Sequence, residues 1–350
     1  ENGDMAGMVA RGEIRGVTSN PTIFNNAIAK SHDYDAALIP MARDGLSAAE
    51  IFDRLAVEDI RHAADLFQPV YRESYGGDGF VSIEVSPNLA HDTDGTLAEA
   101  RRLWALVDRP NLMVKIPATP EGIPAIRQAI AAGINVNITL IFSLARYRQV
   151  IEAYLSGLED RLVAAFPVDF LSSVASFFVS RVDTKIDPQL DTIMQQGIPG
   201  SERAKDLRGK AAIANTRLAY ALFKETFDTP RFKKMVGLGA RLQRPLWAST
   251  STKNPAYPDL LYVENLIAPH TVNTLPPQTL AGFIDHGKAA LSLEGHEEDA
   301  RQVIRELESL GISMDKVTQE LEDEGVKSFS DAFSSLLKTI EERCATALAA

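Results

Sequence analysis

The sequence predicts an α/β protein built on a parallel sheet, and within that class an eight-stranded (β/α)8 TIM barrel with extra helices at its C-terminal end. Short apolar, β-branched runs alternate along the chain with longer segments of helical periodicity. No Gly-x-Gly-x-x-Gly turn, which an open dinucleotide-binding sheet would need, follows any of these runs. Polar residues instead crowd the C-terminal ends of the runs, where a barrel has its catalytic mouth. No low-complexity linker divides the chain, so we expect residues 1–350 to form a single domain.

Seven runs have the length and the β-branched composition of buried strands. They are Ile14–Thr18, Val81–Val85, Leu112–Ile116, Ile134–Leu140, Val174–Val179, Leu246–Ser249 and Thr271–Leu275. The glycine-rich segment Gly76–Gly79 comes before the second run, so it predicts a tight turn and not a phosphate-binding loop. An eight-stranded barrel needs one strand more than these seven runs supply.

Segments with apolar residues at helical spacing separate the strand-like runs. They are Ala48–Leu66, Leu97–Val107, Ile123–Ala131, Ser143–Phe166, Ala212–Phe227, Glu297–Leu310 and Phe329–Thr346. The last of these has Phe329 and Phe333 on its apolar side and is expected to pack on the barrel and cover its mouth. Residues Asp191–Asp206 predict a loop over the barrel rim, and the acidic run Glu320–Glu324 predicts a solvated face.

The charge and cysteine content exclude several classes of function. The 350 residues carry 36 Lys and Arg against 47 Asp and Glu, a net charge of −11, so neither nucleic acid nor an anionic membrane is an expected partner. The single cysteine, Cys344, forbids an internal disulfide framework and suits a cytoplasmic location. The six histidines show no metal-ligand spacing, and neither an 18-residue apolar span nor a secretory leader pattern is found. An anionic small substrate is still compatible with this charge, because a few local cations decide its binding.

Lys115 is the first candidate for chemistry. It stands alone among apolar residues in the short run Leu112–Ile116. A partly buried structural lysine is the competing interpretation of this pattern. If the side chain faces the barrel interior, burial favours the neutral amine, which can attack a carbonyl carbon.

Six short motifs contain the polar residues at the predicted strand ends. Gly16–Ile23 (GVTSNPTI) and Leu112–Thr119 (LMVKIPAT) resemble the two signature segments of transaldolases, and Ile134–Ser143 (INVNITLIFS) resembles a third segment of that family. The likeness continues through VSIEV at 81–85, SFFVSR at 176–181 and WAST at 247–250. Each motif lies at a predicted strand end, and the likeness covers most of the chain, from about Gly16 to Phe333.

The resemblance implies a class I, Schiff-base transferase on an α/β barrel, acting in the pentose phosphate pathway. Such an enzyme moves a dihydroxyacetone unit between phosphorylated sugars, converting sedoheptulose 7-phosphate and glyceraldehyde 3-phosphate into erythrose 4-phosphate and fructose 6-phosphate. Lys115 takes the role of the Schiff-base lysine, and Glu84 and Thr139 match the positions that handle the catalytic water. No cofactor or metal is implied, because the iminium itself accepts the electrons of the breaking bond. A solvent-facing strand residue is the competing interpretation of Glu84, and an ordinary β-former that of Thr139.

The same resemblance implies residues that bind the dihydroxyacetone unit. Asn20 and Asn137 match asparagines that hydrogen-bond its hydroxyls, which suits an amide with both a donor and an acceptor. Thr18, two residues before Asn20, is expected to bind substrate as well. Phe178 is expected to pack beside Lys115. An Asn before Pro is also a common turn former, and an aromatic residue a common core residue, so both have structural alternatives.

Phosphate binding is expected to depend on Arg181, with Ser176 and Ser249, because a guanidinium pairs well with phosphate and hydroxyls add donors. The chain departs from the family pattern two positions after Ser249, where Ser251 replaces an arginine. Lys253, two residues further on, is the expected second cation. Phosphorylated sugars are therefore the expected partners, and a homodimer is left open.

Two other functions compete with a transaldolase. A fructose-6-phosphate aldolase would use the same lysine without an acceptor sugar, but such relatives are shorter and lack the long helical region after Leu275. A sugar-phosphate binding protein without turnover would not need Lys115, Glu84 and Asn137 together.

The family carries a catalytic aspartate at the end of its first strand, about one helix before the Thr-Ser-Asn-Pro segment. Asn2–Ala10 predicts that helix, since Met5, Met8 and Val9 have helical spacing. We therefore expect the first strand and its aspartate to lie before Glu1. The competing alignment takes Glu1 or Asp4 as the catalytic acid.

Overall fold

Seven parallel strands form one sheet in the computed structural model, which describes residues 3–197 and 201–349. They are β1 (Val17–Thr18), β2 (Val81–Glu84), β3 (Leu112–Pro117), β4 (Val136–Ile141), β5 (Ser173–Phe178), β6 (Gln243–Ala248) and β7 (Val272–Asn273). Each strand pairs with the next one along the chain, so the spatial order is the sequence order. All seven predicted runs contain a strand, and the prediction of a parallel sheet is confirmed.

The sheet curls so that its first and last strands approach each other. The hydroxyl of Thr18 on β1 lies 3.2 Å from that of Thr274, directly after β7. On the other side of the molecule Arg244 of β6 donates to the carbonyl of Gly77 and to the carboxylate of Asp78 in the turn before β2. The described strands thus form a curled, TIM-barrel-like α/β fold, which confirms the predicted fold class.

Fifteen α-helices lie between and after the strands in the part of the chain that the structure describes. They are α1 (Asp4–Ala10), α2 (Pro21–Lys30), α3 (Asp35–Arg43), α4 (Ala48–Glu73), α5 (Thr93–Val107), α6 (Gly122–Ala131), α7 (Leu144–Val163), α8 (Ser180–Gln196), α9 (Ser201–Leu207), α10 (Ala211–Phe227), α11 (Pro230–Val236), α12 (Leu261–Glu264), α13 (Pro277–His286), α14 (Glu297–Ser309) and α15 (Met314–Ala349). Each predicted helix is present, and a 3₁₀ turn over Pro87–Leu89 follows β2.

Two predictions about the helices are wrong. The expected rim loop at Asp191–Asp206 is mostly helical, because α8 runs to Gln196 and α9 begins at Ser201; residues 198–200 lie outside the described residues. Leu190, Ala204 and Leu207 are buried there, which is enough apolar surface to hold two polar helices. The acidic run Glu320–Glu324 is not a wholly solvated face, since Glu322 is buried against Arg146.

Side-chain caps begin several of the helices that follow a strand. Asn20 accepts from the N–H of Ile23 at the start of α2, directly after β1. Ser143 accepts from the N–H of Arg146 at the start of α7, directly after β4. Each cap satisfies a helix N–H that would otherwise lack a partner, so these caps fix the chain direction at the end of each strand.

The strand register aligns three polar residues on one face of the sheet. Glu84 on β2 pairs with Lys115 on β3, and Lys115 pairs with Asn137 on β4. Residues in register on neighbouring parallel strands point to the same side, and successive residues alternate between sides. The intervening apolar residues Val114 and Ile138 therefore face the surrounding helices, and both are fully buried.

The N-terminal segment is the helix α1, as predicted, and Asp4 is its first residue. Gly3 is the N-cap residue. Asp4 is exposed and lies on a helix, not at the end of a strand. This disfavours Asp4 as the catalytic acid, and Glu1 lies outside the described residues.

Charged residues interrupt the helices throughout the described chain. Within residues 3–197 and 201–349, none of the helices combines the length and the apolar character that crossing a bilayer requires. The same residues hold no group of three or more His, Cys, Asp and Glu side chains placed to bind a metal ion.

The start of α6 packs too closely on β3 for any side chain at position 122. A Cβ on Gly122 would lie 2.0 Å from the carbonyl oxygen of Pro117. We expect Gly122→Ala to lower the free energy of unfolding by about 1–3 kcal/mol or more, because β3 or α6 must move. Chemical denaturation measures this effect, and Gly237→Ala is the control, because a Cβ there meets only the Lys234 carbonyl at 3.4 Å. Equal stability of the two variants would contradict the close packing of α6 on β3.

Candidate active site

The Lys115 amine lies buried beside a carboxylate. The residue is 6% exposed, and its Nζ donates to the carbonyl oxygen of Ser19 at 3.1 Å. The Nζ atom also lies 3.4 Å from Oε2 of Glu84, whose side chain is likewise 6% exposed. The lysine thus does not extend outward to solvent, and its two polar neighbours come from the ends of β1 and β2.

Two opposing effects set the proton affinity of Glu84. Burial raises the pKa of this carboxyl above its ordinary value, because the charged form loses its hydration. The positive charge of Lys115 and the hydrogen bond from its amine act in the opposite direction. A carboxyl in this balance is suited to exchange a proton with the neighbouring amine or with a bound hydroxyl.

Asn137 is held at both ends of its amide by serines. Its Nδ2 donates to Oγ of Ser82 at 3.1 Å, and its Oδ1 accepts from Oγ of Ser176 at 2.7 Å. Thr139, two residues further along β4 on the same face, is 1% exposed, and its hydroxyl has no hydrogen-bond partner among the described residues. A buried hydroxyl without a partner is costly and needs an explanation beyond strand propensity.

Arg181 is a half-buried cation without a carboxylate partner. It is the second residue of α8, just after β5, and its guanidinium lies 5.5 Å from the centre of the Phe178 ring. Burial lowers the pKa of this guanidinium, and the negative charge of Glu324 on α15 opposes that effect. Within residues 3–197 and 201–349, no hydrogen bond or ion pair within 4 Å engages Arg181, so its donors are available to an anionic ligand.

Hydrogen bonds join the ends of β5 and β6 beside Arg181. The hydroxyls of Ser180 and Ser249 lie 3.0 Å apart, and the N–H of Ser180 donates to the carbonyl oxygen of Ser249. Ser249 has a φ of +55°, a left-handed conformation that bends the chain away from the strand. Ser249 and Arg181 are therefore brought to the same edge of the sheet.

Three expected binding residues are less closely tied to this group. Lys253 is exposed and donates to the hydroxyl of Ser251, so no contact joins it to Arg181 in the described chain. The side-chain oxygen of Asn20 is used by the α2 cap, which matches its structural alternative. Thr18 contacts Thr274 across the two outer strands. The binding roles of these residues stay predictions.

Ser82 is not among the predicted site residues, and Phe329 is predicted only as an apolar residue of the last helix. Ser82 lies two residues before Glu84, so strand alternation alone would have assigned it to the same face. The ring of Phe329 on α15 lies 5.9 Å from Nζ of Lys115. Helical periodicity could not show which apolar residue of that helix lies nearest the lysine.

The fold and the site together define a class of protein. It is a TIM-barrel-like α/β protein whose parallel strands carry a buried lysine–carboxylate pair, a fixed asparagine and an unpaired arginine at one edge. Active sites of barrel enzymes lie at this edge, formed by the C-terminal ends of the strands.

Comparisons with known proteins identify the family within this class. The family model described as Transaldolase/Fructose-6-phosphate aldolase matches residues 2–340. A transaldolase of Thermobifida fusca is 50% identical over 345 residues, which are 98% of this chain and 92% of the relative. Transaldolases of Frankia alni and Mycobacterium bovis are 49% and 45% identical, covering 97% and 99% of this chain and 91% and 92% of theirs. The chain belongs to the transaldolase/fructose-6-phosphate aldolase family.

Proposed function

We propose that this protein is a transaldolase that carries a dihydroxyacetone unit as a Schiff base on Lys115. The donor is a ketose phosphate such as sedoheptulose 7-phosphate, and the acceptor is an aldose phosphate such as glyceraldehyde 3-phosphate. The observation that carries this proposal is the buried amine of Lys115, 3.4 Å from the Glu84 carboxylate. Relatives named transaldolase, similar over nearly the whole chain, support the same reaction.

The first step is addition of the Lys115 amine to the ketose carbonyl. The amine must be neutral to attack, and the Glu84 carboxylate is close enough to take its proton, directly or through one water. The same carboxyl can return the proton to the departing hydroxyl when the carbinolamine loses water. The unpartnered hydroxyl of Thr139 is suited to hold that water.

The iminium then accepts the electron pair of the C3–C4 bond as that bond breaks. The Asn137 amide, held by Ser82 and Ser176, is a fixed donor and acceptor for the hydroxyls of the bound three-carbon unit. The proton of the C4 hydroxyl leaves in this step to a water molecule, and the aldehyde oxygen takes up a proton when the acceptor adds. The acceptor aldehyde then adds to C3 of the bound three-carbon unit, and the same steps in reverse order release the new ketose phosphate.

Arg181 and Ser249 are proposed to bind the substrate phosphate, whereas Ser176, predicted with them, would have to give up its hydrogen bond to Asn137 Oδ1 in order to donate to it. A guanidinium without a carboxylate partner forms charge-assisted hydrogen bonds to phosphate oxygens. Lys253 is proposed as a second cation that reaches the phosphate only when the loop after β6 changes its conformation.

The proposal extends to the setting of the enzyme. Phosphorylated sugars are its partners, and a cytoplasmic location fits the single cysteine in 350 residues. We retain a homodimer and a single domain over residues 1–350 as predictions. A single hydrophobic core that includes residues from Phe24 to Ile340 supports the single domain.

Borohydride reduction in the presence of fructose 6-phosphate tests the Schiff base. We expect a reduced dihydroxyacetone fragment on the peptide that contains Lys115, identified by mass spectrometry. Lys115→Ala should lose this adduct and reduce the rate by roughly three orders of magnitude or more, because the variant lacks the amine that forms the iminium. Full activity without any adduct on Lys115 would exclude the mechanism. Erythrose 4-phosphate formation in a coupled assay separates transfer from aldol cleavage alone and from binding without turnover.

The raised pKa of Glu84 predicts the acid side of the pH profile. The Lys115–Glu84 pair needs its carboxylate to accept the amine proton, so kcat/KM should fall as pH drops through the pKa of Glu84, above the ordinary value of 4.5. Glu84→Gln should remove this acid limb and lower the rate by roughly 10²–10⁴-fold. The exposed Glu308→Gln serves as the control. If kcat/KM of Glu84→Gln still falls at low pH as in the wild type, that fall belongs to the titration of another group.

Phosphate recognition is expected to depend on Arg181. Arg181→Ala should raise KM for phosphorylated ketoses roughly 10- to 100-fold, the effect of losing a charge-assisted hydrogen bond. Reaction with an unphosphorylated ketose such as dihydroxyacetone should hardly change. Steady-state kinetics with both kinds of donor measure the difference, and Lys253→Ala in parallel reports whether the exposed lysine contributes. An equal loss on both donors would show that Arg181 is structural.

A further inference from the structure

The helix α15 covers one side of the Lys115 amine with hydrocarbon. The Phe329 side chain is 7% exposed, and its ring centre lies 5.9 Å from Nζ of Lys115. This distance is within the range at which an aromatic ring still interacts with an ammonium group. On this side, the lysine therefore faces an aromatic ring and not open solvent.

One turn before Phe329, α15 packs directly on β4. A Cβ on Gly325 would lie 2.9 Å from Cδ2 of Leu140, the residue that follows Thr139. Residues four apart lie on the same helix face, so Gly325 and Phe329 form one continuous contact surface. The absence of a side chain at position 325 lets this surface come close to the strand that carries Asn137 and Thr139.

Polar contacts on either side of Phe329 in the sequence fix α15 to three other parts of the chain. Glu322 accepts two hydrogen bonds of 3.1 Å from Arg146 on α7, and both side chains are largely buried. Glu324 pairs with Lys185 on α8 at 2.5 Å, and Ser330 donates to Asn88 after β2. These contacts connect α15 to the segments after β4, β5 and β2, so the position of Phe329 is set by the fold around the site.

We propose that Phe329 is a specificity-determining residue that keeps water away from the Lys115 Schiff base between the two half-reactions. The inference rests on the proposed function, because the enzyme-bound three-carbon unit can either be transferred to an acceptor or be lost by hydrolysis. In transfer, its nucleophilic carbon forms a bond to the aldehyde carbon of the acceptor. In hydrolysis, the nucleophilic carbon first takes up a proton from solvent, which restores the iminium; a water oxygen then adds to the iminium carbon and the carbon–nitrogen bond breaks, which releases dihydroxyacetone and restores the lysine amine. Excluding water at this stage favours transfer over release.

The ratio of release to transfer tests the role of Phe329. Free dihydroxyacetone formed from fructose 6-phosphate without an acceptor measures release, and the product formed with erythrose 4-phosphate measures transfer. Phe329→Ala should raise this ratio at least about tenfold, because it opens the covered side of the amine. Phe329→Leu, which keeps a bulky apolar group, should raise the ratio less. This variant replaces Phe329→Ala in the test if the alanine variant does not fold.

Phe333→Ala is the matched control on the same helix. Phe333 packs on Phe52, with ring centres 5.6 Å apart, so its loss removes a similar apolar contact of α15 elsewhere. The ratio should stay at the wild-type value in this variant. The proposal is overturned if Phe329→Ala leaves the ratio within about twofold of wild type, or if Phe333→Ala changes it equally. Borohydride trapping on Lys115 is run in parallel. If Lys115 is trapped but the release-to-transfer ratio of Phe329→Ala is unchanged, only this inference is overturned. If the wild-type enzyme gives no adduct, the proposed function is overturned as well.

Discussion

Burial of the Lys115 amine beside the Glu84 carboxylate is the constraint around which the rest of the site is arranged. Two opposite charges taken out of water lose much hydration free energy, and their attraction repays it only in good geometry. Adjacent parallel strands supply that geometry, because Glu84 and Lys115 are in register and point to the same face. The amine also donates to the Ser19 carbonyl, so β1, β2 and β3 all contribute to holding it.

The local charge near the substrate differs from that of the whole chain. A net charge of −11 would repel a sugar phosphate at long range, yet Arg181 has no carboxylate within 4 Å among the described residues. Several other arginines of the described chain are paired with Asp or Glu, for example Arg127 with Asp160 and Arg231 with Glu152. Arg181 thus combines a half-buried guanidinium, a position just after a strand end and no carboxylate within 4 Å among the described residues. Its donors are available to an anionic ligand.

The C-terminal helix α15 connects the site to the periphery of the fold. It begins at Met314 and ends at Ala349, and it contacts α2, α3, α4 and α8 as well as β4. Its acidic first half pairs with Arg146 and Lys185. Of its later apolar residues, Phe329 lies beside Lys115 and Phe333 packs on Phe52 of α4. A helix of this length is stabilised by packing along its apolar side and not by helix propensity alone. The same packing that holds the helix also brings Phe329 over the lysine.

Local patterns in the sequence were sufficient to predict the seven strands, most of the helices and the polar residues at the strand ends. A short β-branched run, a helical period or an Asn before Pro reflects backbone preferences over a few residues, and these persist in the folded chain. The alignment of Glu84 with Lys115, the serines that hold Asn137, and the pairing of Glu322 with Arg146 depend on contacts between distant segments. Amphipathic periodicity specifies which side of α15 is buried but not what that side covers. Only the packed barrel decided that Phe329 lies over Lys115, because that position depends on the close approach at Gly325 and on contacts from three other parts of the chain.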